Sequence, residues 1–416
     1  MMRYISQIAV SVLLPLLSLA QRDSVMSLPE IFREIAENNL LLKSYGQRAE
    51  SYQYSADAAT AWMPPMVGLG SWQTPYPFQK LMDARDKGML MLRVEQEIPN
   101  RARLNATRRY IASQANAERV GRNVALNDLK AEARRQYYNW LVAVQRLAIL
   151  RKNEQVLLLM RKVEEVRLPY NQSQLSSVYR SDAALEDNRS MMYMQAGEIA
   201  RAKAYLNAFM NRPADLNISI DTTYEVRFTP VAHLDTASIA LTRSDIQRMN
   251  ENIRSMQLNI EAMQLQRKPT FRVQLDHMQP FDNMMPKAFS VMGMMSIPIA
   301  PWSSKMYKSE IRAMEQNIDA MQNERAAMLL ETQGMVRGMQ SEILSMQRRI
   351  DAMESKVIPA LQKTFDANYI QYQENKLSIT ALIDSYEALN MMQMEVLDEK
   401  QRLYQMIADY EKQIYR

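Results

Sequence analysis

Cysteine is absent from this chain of 416 residues, which has only two histidines and nine glycines. Without cysteine there is no disulfide, no thiolate metal site and no thiol nucleophile. No GxGxxG or GxxxxGK[ST] motif occurs, so a phosphate-binding loop is not expected. The histidines, His233 and His277, lie far apart, which argues against a zinc or histidine-based hydrolytic centre. No carboxylate pair lies in a glycine- or histidine-bearing loop, and we therefore expect neither an enzyme nor a cofactor.

Methionine is the residue in excess, with 34 copies. Alanine, glutamine, glutamate and arginine are also abundant, and the mean hydropathy is −0.36. This composition predicts long solvated helices rather than a series of compact domains. The formal net charge of +5 is a small excess on a long surface and does not indicate nucleic acid binding.

Residues 1–20 have the pattern of a secretory signal peptide. Arg3 precedes an apolar stretch, Ile8–Leu19, and small residues occupy the positions three and one before the expected cleavage site. A transmembrane helix needs about 20 apolar residues, and a buried N-terminal helix is the alternative interpretation. We expect an exported chain that begins near Gln21, with 50 basic residues against 46 acidic ones. Since no cysteine follows the apolar stretch, no lipid anchor is expected.

Two halves of the sequence match at a constant offset of 204 residues, which predicts two structural repeats. Chance similarity between helix-rich stretches is the alternative. The repeats are assigned to 21–212 and 243–416, with a connector at 213–242 that contains short extended pieces. The matched pairs include Ser51 with Ser255, Pro65 with Pro269, Asn171 with Asn375, Ser181 with Ser385, and Leu185 with Leu389.

Each repeat contains two stretches in which apolar and polar residues alternate, as in strands. An apolar face opposite a charged face over about ten residues is typical of a strand in a membrane β-barrel. A half-buried sheet of a soluble domain is the alternative. Four strands cannot close a barrel, so closure would need several chains. The strands are predicted at about 66–74, 88–98, 270–278 and 288–298.

Long helical patterns follow the strands in both repeats. No proline occurs from Arg101 to Arg167, and a helix of that length spans about 100 Å. In the second repeat, apolar residues recur at spacings of three and four, as in a coiled coil. The members of this seam are Ile311, Met314, Ile318, Met321, Met328, Met335, Met339, Ile343, Met346, Ile350, Met353 and Val357.

The helical pattern reverses at Asn171 and Asn375, and asparagine tolerates the left-handed conformation of a tight reversal. We therefore predict hairpin tips at about 168–175 and 372–379. Around them, Arg167–Leu185 and Tyr372–Leu389 carry related motifs that end in RSDAAL and LIDSYEAL.

Both tip motifs resemble the pattern R-Y-x-x-G-x-x-S-x-x-D-L-L-x-A-Q-x-x-L of the TolC family of outer-membrane efflux channels, with asparagine in place of the tip glycine. The segment Val94–Pro99, VEQEIP, resembles the heavy-metal efflux branch. That branch usually continues with Pro-x-Gly-Lys, whereas this chain has Asn100–Arg103. Other family-like segments are Asn211–Pro213, Arg243–Ile246 and Ile297–Ile299.

The resemblance implies a mainly α fold with a small β part. Long coiled-coil helical hairpins would form a periplasmic tunnel, and three chains would each supply four strands to a twelve-stranded β-barrel in the outer membrane of a Gram-negative bacterium. It also implies three further partners: outer-membrane lipid, a periplasmic adaptor (membrane fusion protein), and an inner-membrane pump of the resistance-nodulation-division type. The adaptor would meet the hairpin tips at Pro169, Tyr170, Asn171, Asn375, Lys376 and Leu377.

A passive exit duct of a tripartite efflux system is the function that this resemblance implies. Rings of acidic residues favour cations, which makes carboxylates near the tips candidates for a periplasmic gate. For each one a solvated helix face is the alternative. A structural coiled-coil protein of the cell envelope would explain the heptads but not the two β-hairpins. The gate candidates are Asp366, Glu374 and Asp384 on the second hairpin, with Asp182 and Glu165 on the first.

Substrates are either soft metal cations or drugs, dyes and other small molecules. Thioether sulfur suits Cu(I) and, by the same logic, Ag(I). Met89, Met91, Met292 and Met294 are candidate metal contacts because they lie on the faces of the predicted strands that would line the lumen of the barrel. Methionine in a helical seam is explained by packing instead.

Overall fold

The computed structural model describes residues 25–415 except 81, 171–173, 233–234, 299 and 375. The predicted signal peptide and the two tip asparagines, Asn171 and Asn375, lie outside the described residues. The chain is mainly helical, with a few strands. Among the described helices, none has the length and apolar character needed to cross a membrane.

Within the described residues, the first half of the chain contains four α-helices and three strands. Asparagine side chains cap the N-termini of two of the helices. Asn39 Oδ1 accepts hydrogen bonds from backbone N–H groups of the helix Leu40–Ala58, and Asn100 Oδ1 does the same for the helix Arg101–Arg167. The elements are β1 (Val25–Met26), α1 (Leu28–Asn38), α2 (Leu40–Ala58), β2 (Met66–Trp72), β3 (Met89–Ile98), α3 (Arg101–Arg167) and α4 (Leu175–Phe209).

The second half repeats this order. Helices α4 and α9 both have 35 residues, and their first residues are 204 positions apart. A single π turn, Met353–Val357, separates α7 from α8. The elements are β4 (Ser219–Ile220), α5 (Thr236–Thr242), α6 (Ser244–Gln264), β5 (Phe271–Pro280), β6 (Ala288–Met295), α7 (Pro301–Ala352), α8 (Ile358–Gln373) and α9 (Ile379–Gln413).

Four strands form one antiparallel sheet in the order β2-β3-β5-β6. The central pair, β3 and β5, joins the two halves of the chain, with Met89 opposite Pro280 and Ile98 opposite Phe271. Strands β2 and β6 are the edges of this sheet. The short strands β1 and β4 pair in parallel elsewhere, where the start of the described chain meets the connector.

The helices bury separate apolar clusters along their length. One cluster surrounds Ile31, Tyr137 and Leu206, and joins α1, α3 and α4 to the β1–β4 pair. An ion pair between Arg134 Nε, whose side chain is buried, and Glu411 Oε2, 2.7 Å away, connects α3 to α9 nearby.

At two places the buried seam of α7 is shifted by one residue from the predicted seam. Val336 is fully buried, whereas the neighbouring Met335 is 39% exposed. Likewise Leu329 is buried in place of Met328, and Thr332 is buried between them. Leu329, Val336, Ile343 and Ile350 are seven residues apart, so they form one heptad row, and Met328 and Met335 lie one position outside it.

Gly88 is required at the base of the loop between β2 and β3. Its φ is +82°, and a Cβ atom placed there would lie 2.8 Å from Thr74 Cα. We expect Gly88→Ala to lower the midpoint of thermal unfolding by several degrees, because strain and a backbone clash together cost about 1–3 kcal/mol. The matched control is Gly46→Ala in α2, where an added Cβ meets nothing within 4 Å. An equal midpoint for both variants would contradict this assignment.

Candidate functional site

One face of the four-stranded sheet is mostly apolar, and most of its side chains are exposed. We call it the apolar face. Its polar members include Gln96 and His277, the second of which lies in register with Leu92 and Phe289. Contiguous exposed apolar side chains are unusual in a soluble monomer and are typical of surfaces that contact a membrane or another protein. Its exposed members are Val67, Leu69, Leu90, Leu92, Val94, Ile98, Phe271, Val273, Leu275, Phe289, Val291 and Met295.

The opposite face, called the charged face, carries a network of ion pairs. Arg93 Nε donates to Asp276 Oδ1 at 2.8 Å, and these two residues are register partners on β3 and β5. Arg272 Nη1 lies 2.7 Å from Glu95 Oε1. Gln274 Nε2 also donates to Asp276, which is almost fully buried on this face. The sheet therefore separates an apolar surface from a polar one across a single layer.

The four methionines proposed as metal contacts all lie on the charged face. Met89 and Met91 belong to β3, whereas Met292 and Met294 belong to β6, and β5 runs between them. Two strand spacings are about 10 Å, so one chain does not place the two pairs side by side. Met278, which the sequence reading missed, is the register partner of Met91. In the described part of the chain, no group of three or more histidine or acidic residues is placed to hold a metal ion.

At the other end of the molecule, a cluster of apolar residues joins both hairpin tips. Leu157 and Met160 of α3 and Leu185 of α4 pack in one cluster with residues of the second hairpin. The contributions of the second hairpin are Phe365, Tyr372, Ile379, Leu382, Ile383, Tyr386 and Leu389. The two tips are therefore held against each other within a single chain.

Each of the five candidate gate carboxylates makes a polar contact. Asp182 Oδ1 lies 2.6 Å from Arg161 Nε, and Asp384 Oδ1 lies 2.8 Å from Arg180 Nη2. Glu374 pairs with Lys376 at 2.6 Å. Asp366, exposed on α8, accepts a hydrogen bond from Gln362 Nε2 at 2.9 Å. Glu165, named with them, pairs with Arg161 at 3.1 Å.

A buried carboxylate that the sequence reading missed connects the two hairpins. The hydroxyl of Tyr372 donates to Glu164 Oε1, and Glu164 is only 2% exposed. The guanidinium of Arg167 lies 4.5 Å from the centre of the Tyr372 ring and donates to the Tyr372 carbonyl at 3.1 Å. Burial and the Glu164 carboxylate raise the pKa of Tyr372, so its hydroxyl remains a donor throughout the neutral range.

Four of the six predicted adaptor contacts are among the described residues, and these lie at the ends of the hairpins. Pro169 and Tyr170 lie in a 3₁₀ turn after α3, and both are exposed. Lys376 is exposed, and its backbone N–H donates to the Gln371 carbonyl at 2.8 Å. Leu377 packs partly against the tip cluster.

No protein-family model matches the chain, and no curated protein matches it either. Solved structures do match the chain. The outer-membrane channel OprN is 14% identical with a TM-score of 0.72, over 93% of this chain and 89% of its own. The transmembrane channel CusC is 15% identical with a TM-score of 0.72, over 93% and 91%. The outer membrane protein VceC of Vibrio cholerae is 12% identical with a TM-score of 0.69, over 93% and 95%.

These similarities extend over almost the whole chain and show its fold. The long helices and the small sheet match TolC-like channel structures, which confirms the predicted mainly α fold class.

Proposed function

We propose that the chain is the outer-membrane exit duct of a tripartite efflux system and conducts its substrates passively. The observation that carries this proposal is the two-faced sheet, because its apolar face is exposed while its charged face holds ion pairs. A membrane β-barrel needs such a sheet, with lipid on one side and water on the other. A coiled-coil scaffold without transport activity gives no reason for it.

Closure of the barrel requires more than one copy. The edge strands β2 and β6 present backbone N–H and C=O groups that would have no partner inside lipid. Three copies, each pairing β6 with β2 of the next, give twelve strands and remove every edge. The outer membrane of a Gram-negative bacterium is the location that we propose.

The helices provide the periplasmic part of the duct. Helix α3 has 67 residues and is about 100 Å long. Its far end reaches the hairpin tips, where the polar contacts between hairpins would hold the duct closed at rest. We propose that Pro169, Tyr170, Asn171, Asn375, Lys376 and Leu377 contact a periplasmic adaptor, which connects the duct to an inner-membrane pump of the resistance-nodulation-division type.

Removal of an acidic residue near the tips tests whether its charge belongs to the gate. We expect Asp366→Asn to reduce the block of single-channel current by divalent cations, because a threefold axis repeats the lost charge three times. The measurement is conductance in planar bilayers with and without magnesium ions. The matched control is Glu342→Gln, an exposed carboxylate on α7 more than 20 residues from Asp366. Unchanged block in both variants would remove Asp366 from the gate.

Two classes of substrate are considered for the duct: soft metal cations and small organic molecules. Met89, Met91, Met292 and Met294 on the charged face support passage of Cu(I) or Ag(I) by weak thioether contacts. A deletion strain tested against copper, silver and a panel of drugs and dyes separates the classes. Sensitivity to the metals alone supports metal efflux, sensitivity to the drugs alone supports drug efflux, and no change in any of them contradicts the proposed function.

A further inference from the structure

Three methionines lie next to one another on the charged face, at the end of the sheet that is farther from the long helices. Met91 of β3 and Met278 of β5 are register partners. Met89 comes two residues before Met91 on the same strand, so both side chains point to the charged face. We call Met89, Met91 and Met278 the methionine triad. The two candidates on β6, Met292 and Met294, lie outside it.

The geometry of the strands brings the three thioether groups within reach of a single ion. Register partners have Cβ atoms about 4.5–5.5 Å apart, and residues two apart on one strand are about 7 Å apart. A methionine side chain carries its sulfur two bonds beyond Cβ and has three rotatable bonds, so it adapts to a shared ligand. Met292, in contrast, is the register partner of Gln274, and β5 separates it from β3.

Small residues flank the triad on both sides. Gly70 of β2 is the register partner of Met91, and Ala288 of β6 is the register partner of Met278. A Cβ atom placed at Gly70 would meet nothing within 4 Å, so the space beside Met91 is open. Met91 and Met278 are themselves partly buried, whereas Met292 is 50% exposed. The triad therefore combines partly buried side chains with an open space beside them, which suits an ion that enters and leaves.

The charges around the triad are compatible with a cation. Arg93 Nη2 lies 3.8 Å from Met91 Sδ, but the positive charge of Arg93 is offset by Asp276, whose Oδ1 accepts from Arg93 Nε at 2.8 Å. An ion would bind after the flexible Met91 side chain turns its sulfur away from Arg93. The strands place two basic against three acidic residues on the charged face, and the resulting excess of one negative charge favours cations. These five residues are Arg93, Arg272, Glu95, Glu97 and Asp276.

The chemistry of the donors selects the ion. Thioether sulfur is a soft ligand that prefers Cu(I), and by the same logic Ag(I), whereas Mg²⁺ and Ca²⁺ prefer oxygen. Because thioethers are neutral, they bind more weakly than thiolates, and weak binding is what conduction requires. We propose that the methionine triad is a binding site for a soft monovalent cation, Cu(I) or Ag(I). This narrows the substrate of the proposed duct to soft cations, and it rests on the proposed function only for the path by which the ion arrives and leaves.

Oxidation by hydrogen peroxide tests the site in the unchanged full-length protein. Peroxide transfers one oxygen atom to a free thioether sulfur, giving the sulfoxide and water, and a bound metal ion slows this step because it withdraws electron density from the sulfur. Mass spectrometry measures the sulfoxide at each methionine with and without silver nitrate in chloride-free buffer. We expect silver to slow oxidation about fivefold or more at Met91 and Met278, and less than about twofold at Met292. Equal slowing at all three residues, or none, would overturn the proposal.

Met278→Leu measures the contribution of one donor. Leucine has a similar volume, so the substitution removes the sulfur and retains the packing. Equilibrium dialysis against silver nitrate gives the dissociation constant of the tightest site, and no thiolate competes because the chain has no cysteine. We expect this constant to rise about tenfold for Met278→Leu and less than about twofold for Met292→Leu, the matched control on the same face. Equal constants for the two variants would contradict the site.

Assembly and conductance are measured on the same preparations, which separates the site from the duct. Equal recovery of both variants as a heat-resistant trimer shows that weaker silver binding does not come from misfolding. If Met278→Leu fails to assemble, the peroxide measurement on the unchanged protein decides. Conductance steps without protection of the triad would overturn the site and leave the duct intact. Protection of the triad without conductance steps would support the site and contradict the duct.

Discussion

Val291→Arg is expected to remove the chain from the outer membrane, whereas Met292→Arg is expected to leave assembly intact. The two residues are neighbours on the edge strand β6, with exposed fractions of 63% and 50%, but they lie on opposite faces of the sheet. Val291 belongs to the middle row of the apolar face, in register with Leu275. An arginine at the bilayer midplane costs about 2–4 kcal/mol per chain, and three chains share one barrel.

The measurement is the share of heat-resistant trimer in the outer-membrane fraction for both variants. We expect a loss of about tenfold or more for Val291→Arg and less than twofold for Met292→Arg. Equal recovery of the two variants would show that the apolar face does not contact lipid. A loss for Met292→Arg alone would reverse the assignment of the faces.

Tyr372→Phe is expected to shift the hairpin tips toward an open state. The substitution removes the hydroxyl that donates to the buried Glu164 carboxylate and retains the ring under Arg167. A hydrogen bond to a charged group contributes about 1.5–3 kcal/mol, so the ratio of closed to open channels should fall by roughly tenfold to a hundredfold. Single-channel recordings in planar bilayers measure this ratio as the fraction of time spent in the conducting state.

The control for this change is Tyr170→Phe, which removes a hydroxyl at the exposed end of the first hairpin. We expect its open fraction to match that of the unchanged protein. If Tyr372→Phe also leaves the open fraction unchanged, the contact between Glu164 and Tyr372 stabilises the chain without closing the duct.

Sequence patterns account for the helices and for the two faces of the sheet. The alternation in 88–98 and 288–298 places Leu90, Leu92 and Val291 on one face because side chains of a strand point alternately to opposite sides. The order of the strands could not be obtained in this way. Pairing of β3 with β5 joins residues about 180 positions apart, and a pattern confined to each strand carries no information about its neighbour.

The contacts of the candidate gate residues could be predicted only in part. Acidic residues near the tips follow from position alone, but the partners of Asp182 and Asp384 lie on other helices and cannot be identified from spacing. Glu164 was missed, although a signal exists in the sequence. It follows Leu157 and Met160 at spacings of three and four, so it occupies a buried seam position. A carboxylate at such a position requires a polar partner, and the structure supplies Tyr372.

The most direct test of the account is the electrical behaviour of the full-length protein, purified from the outer-membrane fraction, in planar lipid bilayers. We predict discrete conductance steps of uniform size from a heat-resistant trimer. After Tyr372→Phe, the fraction of time spent in the conducting state should increase. A protein recovered as a periplasmic monomer or dimer that produces no steps in the bilayer would contradict the assignment as an exit duct.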